Sequence, residues 1–101
     1  MTDSPGNGPE VAFDVDAAQA LLDEVTAPWV RELGLRVVEI GPTRSRFHLP
    51  FGDALTRDAG MICGQAIVAA ADTAMIAAVT AAIGGYAPIT TVDIASRFLR
   101  P

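Results

Sequence analysis

The chain has little of what several functional classes require. Lys and Arg together number 7 against 12 Asp and Glu, and no basic run occurs, which argues against nucleic acid as the main partner. The single cysteine, Cys63, excludes an intramolecular disulfide and is typical of a cytoplasmic protein. The opening MTDSPGNGPE is acidic and rich in Gly and Pro, unlike a signal peptide. We expect residues 1–10 to form a flexible tail ahead of one domain at residues 11–101.

What the chain does have is hydrophobic sequence, which makes up 50% of its residues and is enough for a globular core. Asp14 or Asp16 can cap a first helix, and Pro28 interrupts that helix or starts a second short one. Residues 35–40 and 44–51 then predict two strands joined as a β-hairpin.

Alternation within the predicted strands assigns their faces. In the second strand three apolar side chains point one way and three polar ones the other: Phe47, Leu49 and Phe51 against Arg44, Arg46 and His48. Residues 89–99 predict a third strand that directs three apolar side chains to the core: Val92, Ile94 and Phe98. The pattern therefore predicts an α+β fold.

Residues 61–83 predict a long helix that is apolar on nearly every side, with Asp72 as its only charged residue. A carboxylate buried without partners normally takes up a proton, so an Asp kept among apolar residues indicates a role. The rival interpretation is a membrane span, for which the helix is long enough. A central Asp costs about 2.5–3.5 kcal/mol on insertion scales, however, and no basic cluster flanks the helix. A buried helix explains these residues better.

The residues around Asp72 resemble the motif of the PaaI-like hotdog-fold acyl-CoA thioesterases. GMICGQ at residues 60–65, followed by ADTA at residues 71–74, is similar to the family's G-x-x-H-G-G, short apolar run and acidic residue. TVDIASRFLRP at residues 91–101 resembles the strand that the family often writes T-V-D-x-x-x-x-F-L-R-P. The similarity covers residues 26–101.

The resemblance implies thioester hydrolysis, with Asp72 as general base or nucleophile and the Gly64 amide as oxyanion donor at a helix N-terminus. It also implies that Thr91 helps to hold the attacking water. Gly64 and Asp72 are separated by about 12 Å along a helix that rises ~1.5 Å per residue, too far to serve one thioester. The site is therefore expected to be shared across a dimer interface.

Three positions depart from the family pattern, and we assign them to substrate binding. Cys63 replaces the usual His, Gln65 replaces the second Gly, and Arg57 lies where an Asn or Gln is frequent. Arg57 is a candidate contact for coenzyme A phosphates, with a solvated side chain as the alternative. These departures predict a changed substrate range or weak activity.

The other assignments have structural alternatives as well. Asp72 can be a structural side chain bonded to Thr or Gln, Gly64 can permit close helix packing, and Thr91 can be an ordinary strand residue. Cys63 can be a reactive thiol or a small buried hydrophobe. A Cys–His hydrolase would have to use His48, the only histidine.

The implied hotdog fold is an antiparallel sheet wrapped around the long helix. Three predicted strands are too few for that wrap, so we expect either sequence beyond Pro101, which we favour, or cover from another subunit. We predict a cytoplasmic homodimer or homotetramer that hydrolyses acyl-CoA thioesters without a metal or organic cofactor, and that binds no membrane. The alternative function is a non-catalytic hotdog module for acyl binding or assembly.

Overall fold

The computed structural model describes residues 13–100, and the predicted tail at residues 1–10 lies outside them. The elements are α1 (Val15–Val25), α2 (Pro28–Arg31), β1 (Arg36–Glu39), β2 (Arg46–His48) and α3 (Gly64–Ile83), with 3₁₀ turns at Asp53–Leu55 and Asp58–Gly60. Within the described residues β1 and β2 pair antiparallel as a two-stranded sheet. The α+β prediction is confirmed at this level.

Local capping signals explain where the first two helices begin. The Asp14 carboxylate accepts a hydrogen bond of 2.9 Å from the Ala17 amide, so Asp14 and not Asp16 is the N-cap of α1. Pro28 is the first residue of α2, where its missing amide hydrogen costs nothing and its fixed φ suits the helix.

The hairpin forms as predicted, but its second strand is shorter than residues 44–51. Phe47 and Leu49 pack against the core, as expected from their alternation. Phe51 does not, since it is 69% exposed. The chain leaves the sheet after His48 and turns into the 3₁₀ segment at Asp53–Leu55, so Phe51 has no strand to hold it against the core. The polar face, with Arg46 and His48, is exposed as predicted.

A glutamine side chain ties α1 to β1. The Gln19 amide nitrogen donates to the Leu35 carbonyl at 3.2 Å, and its oxygen accepts from the Val37 amide at 2.9 Å. The two bonds satisfy backbone groups that the two-stranded sheet leaves without a neighbouring strand. Gln19 therefore closes one edge of β1.

Replacing Gln19 with Met, which keeps the length of the side chain but removes both bonds, is expected to lower the free energy of unfolding by about 1–3 kcal/mol. The cost arises because a part-buried donor and acceptor lose their partner. Urea titration of both proteins measures it. Gln65→Met, the same change at an exposed position of α3, serves as the control. Equal unfolding midpoints for the two variants would show that the Gln19 bonds contribute nothing.

The core lies between α1, the hairpin and one face of α3. Ala18 of α1 and Ala77 of α3 are both fully buried, and their small side chains let the two helices approach. The buried face of α3 consists of small residues: Ala66, Ala70, Thr73, Ala77 and Thr80. Each buried threonine hydroxyl donates to a carbonyl one turn earlier, at 2.7 Å for Thr73 and 2.8 Å for Thr80. These bonds remove the cost of burying two hydroxyl groups.

The opposite side of α3, here called the outward stripe, is not covered by the sheet. It consists of residues three or four positions apart: Gln65, Val68, Asp72, Met75, Val79 and Ile83. The predicted strands are too few to surround this helix, and within residues 13–100 the sheet has only two, so the sheet wrapped around the helix that the resemblance implies is not present in the described residues. By length and composition α3 could cross a membrane, and 28% of its most hydrophobic window is buried.

The predicted third strand at residues 89–99 is absent, since residues 87–100 have no helix or strand. Its supposed core residues, Val92, Ile94 and Phe98, are exposed, Val92 at 98%. An extended segment needs a neighbouring strand for its backbone groups, and in the described residues none lies beside it. After Gly84, which ends α3 in the left-handed conformation at φ 84°, the chain instead returns along the outward stripe.

Candidate functional site

Asp72 and Thr91 meet on the outward stripe. The Thr91 hydroxyl donates a hydrogen bond to Asp72 Oδ1 across 19 positions of sequence. Asp72 is exposed, so the expectation of a carboxylate buried in an apolar helix is wrong. Residues 85–100 cover the stripe incompletely, and the carboxylate therefore remains in contact with solvent. The bond leaves Asp72 Oδ2 for a further partner.

Gly64 is the first residue of α3, and Cys63 is its N-cap with φ −76° and ψ 144°. The Cys63 side chain makes no capping hydrogen bond. Amides in the first turn have no acceptor inside the helix, and the macrodipole is positive at this end. The Gly64 amide is therefore placed to donate to an oxygen that carries developing negative charge.

The loop before α3 is held by backbone hydrogen bonds. The Cys63 amide donates to the Leu55 carbonyl at 2.8 Å, and the Arg57 amide donates to the Met61 carbonyl at 2.7 Å. Between them Ala59 adopts a left-handed conformation with φ 63°, which is uncommon for a residue with a side chain. This pairing fixes the direction from which the chain enters α3.

The groove at the start of α3, here called the Gly64 groove, has a volume of about 540 Å³. Its lining includes Arg57, Gly64, Gln65, Val68, Phe98 and Arg100. A Cβ built on Gly64 would lie 3.4 Å from the Phe98 ring, so the ring packs directly over the glycine. The neighbour of Gly64 is thus a side chain of the segment after α3 and not a second helix, so the close helix packing considered for this glycine is not what the contact shows.

A second groove, here called the Met75 groove, lies nearer the C-terminal end of α3 and has a volume of about 760 Å³. It is lined by Ala71, Met75 and Val79 of the helix and by residues 89–95. Asp72 is next to Ala71, and its partner Thr91 belongs to the lining. The Asp72–Thr91 pair therefore lies at the edge of the Met75 groove, on the side toward the Gly64 groove.

The three residues predicted to bind substrate lie at or just before the N-terminal end of α3. Gln65 is exposed and lines the Gly64 groove. Cys63 is half-buried with a free thiol. Arg57 also lines the groove, and its Nε donates to Asp58 Oδ1 at 2.8 Å. His48 is on the exposed face of β2 and lines a different groove.

Phe98 and Arg100 line the Gly64 groove but were not predicted as site residues, and Phe98 was predicted to face the core instead. Both belong to the FLRP segment on which the family resemblance partly rests, and that segment was the only signal for them. The structure thus brings Asp72 to Thr91 and brings Gly64 to Arg57 and Gln65. It does not bring the carboxylate and the glycine amide to one point within a single chain, because they lie about 12 Å apart along α3.

Comparison with known proteins adds no further identification. No family model matches the chain, and neither a curated protein nor a solved structure is significantly similar to it.

Proposed function

We propose that this chain is an acyl-CoA thioesterase of the hotdog class. The observation that carries the proposal is the hydrogen bond from Thr91 to Asp72. The motif resemblance assigns these two residues to the acid and to its water-holding partner, and they are in contact although 19 positions separate them. A second support is the Gly64 amide, which lies at the N-terminus of a 20-residue helix.

The proposed reaction needs two groups from the protein. Asp72 takes a proton from water as the water oxygen bonds to the thioester carbonyl carbon, or attacks that carbon itself. The Gly64 amide donates to the carbonyl oxygen as it gains negative charge. On the general-base route, the coenzyme A thiolate takes up the proton held by Asp72 when the carbon–sulfur bond breaks, and the carboxylic acid leaves. On the nucleophilic route, the thiolate leaves first and takes a proton from solvent, and water then hydrolyses the acyl anhydride on Asp72 to release the acid. The proposal uses no metal and no organic cofactor.

The two groups must come from different copies of the chain, since about 12 Å of helix separates them. Exposed apolar side chains offer a surface for this association, among them Ile83, Val92 and Leu99. We therefore propose a cytoplasmic homodimer or homotetramer in which assembly completes the hotdog wrap. Sedimentation velocity at assay concentration tests this part of the proposal. An active, strictly monomeric species would contradict it.

The test of the activity itself is thiol release from a panel of aliphatic and aromatic acyl-CoA thioesters. Hydrolysis that depends on Asp72 is the expected result. No release above the enzyme-free rate with any thioester, from a folded and associated protein, would reject the thioesterase proposal.

Thr91→Val is expected to lower kcat by about tenfold, because a hydrogen bond to a charged group is lost while the shape of the side chain is kept. Thr91→Ser, which keeps the hydroxyl, should retain most of the activity. A purely structural role would show itself as equal kcat values for the two variants.

The alternative function is a non-catalytic module that binds acyl groups or supports assembly. Two observations favour it: the Phe98 ring packs over Gly64, and Arg57 is engaged by Asp58. On this alternative, acyl-CoA binds without turnover. Calorimetric binding of a thioester together with no thiol release would support it.

A further inference from the structure

The lining of the Gly64 groove combines an apolar wall with two cationic groups. Ile67, Val68 and Phe98 form part of the wall, and the guanidinium groups belong to Arg57 and Arg100. Among residues 13–100, none of the residues that line this groove carries a carboxylate. Lys and Arg together number only 7 in the whole chain and its net charge is −5, so two arginines in one groove form a local positive region. An anionic ligand with an apolar portion fits this combination.

The position of Gly64 in the same groove restricts what that ligand can be. This step rests on the proposed function, in which the Gly64 amide binds the thioester carbonyl. Groups near that carbonyl are the acyl chain on one side and the neutral pantetheine arm on the other. The phosphates of coenzyme A lie at the far end of that long arm. The arginines are therefore close to the acyl group, and the expectation that Arg57 meets coenzyme A phosphates is less consistent with the groove.

We propose that the acyl group of the substrate carries a carboxylate and that Arg57 and Arg100 bind it. The substrate class is then the monothioesters of dicarboxylic acids. A guanidinium group binds a carboxylate through two parallel hydrogen bonds, and such charge-assisted bonds are stronger than neutral ones. The methylene groups between the thioester and the carboxylate contact Val68 and Phe98.

Asp58 competes for one of these arginines. Its bond of 2.8 Å uses Nε of Arg57, and both side chains are largely exposed, at 59% for Arg57 and 78% for Asp58. Exposed pairs of this kind are weak, so a substrate carboxylate can share or replace Asp58. Removing the Asp58 charge should therefore strengthen the binding of an anionic acyl group.

The experiment compares kcat/KM for pairs of thioesters that differ only in a terminal carboxylate. The pairs are propionyl- and malonyl-CoA, valeryl- and glutaryl-CoA, and hexanoyl- and adipyl-CoA, each corrected for its enzyme-free rate. For at least one pair the anionic member is expected to be favoured by about tenfold. Arg57→Gln and Arg100→Gln should each lower this ratio of anionic to neutral kcat/KM, and Asp58→Asn should raise it.

Arg44→Gln is the matched control, because it removes the same charge from the hairpin, where Arg44 is 3.6 Å from Glu39. It should leave the ratio unchanged. A preference for the neutral member in every pair would overturn the inference, as would an equal effect of Arg44→Gln and Arg100→Gln. If no thioester is hydrolysed, the proposed function fails on its own account. The affinities for adipyl- and hexanoyl-CoA are then measured by calorimetry with the wild type and with Arg100→Gln. Tighter binding of adipyl-CoA than of hexanoyl-CoA, with a smaller difference in Arg100→Gln, would support the inference, and equal or weaker binding of adipyl-CoA would overturn it.

Discussion

Asp72→Asn is expected to reduce thioester hydrolysis by about a hundredfold or more while the protein stays folded. The amide has the size of the carboxylate but neither accepts a proton from water nor attacks a carbonyl carbon. Asp72 is exposed, and the structure records one side-chain hydrogen bond for it, the bond from Thr91. An Asn oxygen can accept that bond as well. The free energy of unfolding should therefore change by less than about 0.5 kcal/mol.

The measurement is thiol release at saturating acyl-CoA, with circular dichroism and sedimentation confirming fold and association. Asp93→Asn is the matched control, since it makes the same change of charge in the lining of the Met75 groove. Cys63→Ala should also keep most of the activity. Hydrolysis by Asp72→Asn at a rate close to that of the wild type would exclude Asp72 as base or nucleophile. Loss of activity in Cys63→Ala would instead support the reactive-thiol interpretation.

Features set by local sequence could be predicted. The Asp14 cap, the break at Pro28 and the end of α3 at Gly84 each depend on residues within one turn, and all three are present in the structure. The hairpin could be predicted for a similar reason, because its strands are close in sequence and alternate between apolar and polar residues.

Features that depend on distant contacts could not be predicted. Alternation at residues 89–99 indicates a strand, but a strand forms only beside a partner, and the two-stranded sheet supplies none there. The exposure of Asp72 follows from that missing cover. The packing of Phe98 over Gly64 is equally a consequence of where the returning chain lies on α3. None of these can be read from the pattern of one segment.

Gly64→Pro is expected to lower kcat by about a hundredfold to a thousandfold, because it removes one oxyanion donor. Proline is well suited to this position as far as the fold is concerned. Gly64 is the first residue of α3, where proline is favoured and no intrahelical bond is lost. Cys63 before it already has the extended conformation, φ −76° and ψ 144°, that a following proline demands. The substitution therefore removes the amide hydrogen without disturbing the helix start, and its added ring atoms lie against the Phe98 side chain.

Gly64→Ala distinguishes the effect of losing the amide hydrogen from the effect of adding side-chain atoms at this position. It keeps the N–H, and its Cβ would meet the Phe98 ring at 3.4 Å, an ordinary contact. Alanine should therefore retain most of the activity that proline removes. Equal losses in the two variants would mean that space at Gly64 matters and that the amide does not act as a donor.

The proline variant also tests whether the site is shared between two copies. A Gly64→Pro chain keeps Asp72, and an Asp72→Asn chain keeps the Gly64 amide. Because about 12 Å of helix separates the two groups, a dimer that contains one chain of each kind has one site with both groups intact. Mixing the two inactive proteins under conditions that allow subunit exchange should therefore restore activity. If exchange is random, half of the dimers are hybrids and each hybrid has one intact site of two, so the activity can reach about a quarter of the wild-type rate. A mixture that exchanges subunits but stays inactive would refute the shared site, and the Asp72 carboxylate and the Gly64 amide would then not act on the same thioester.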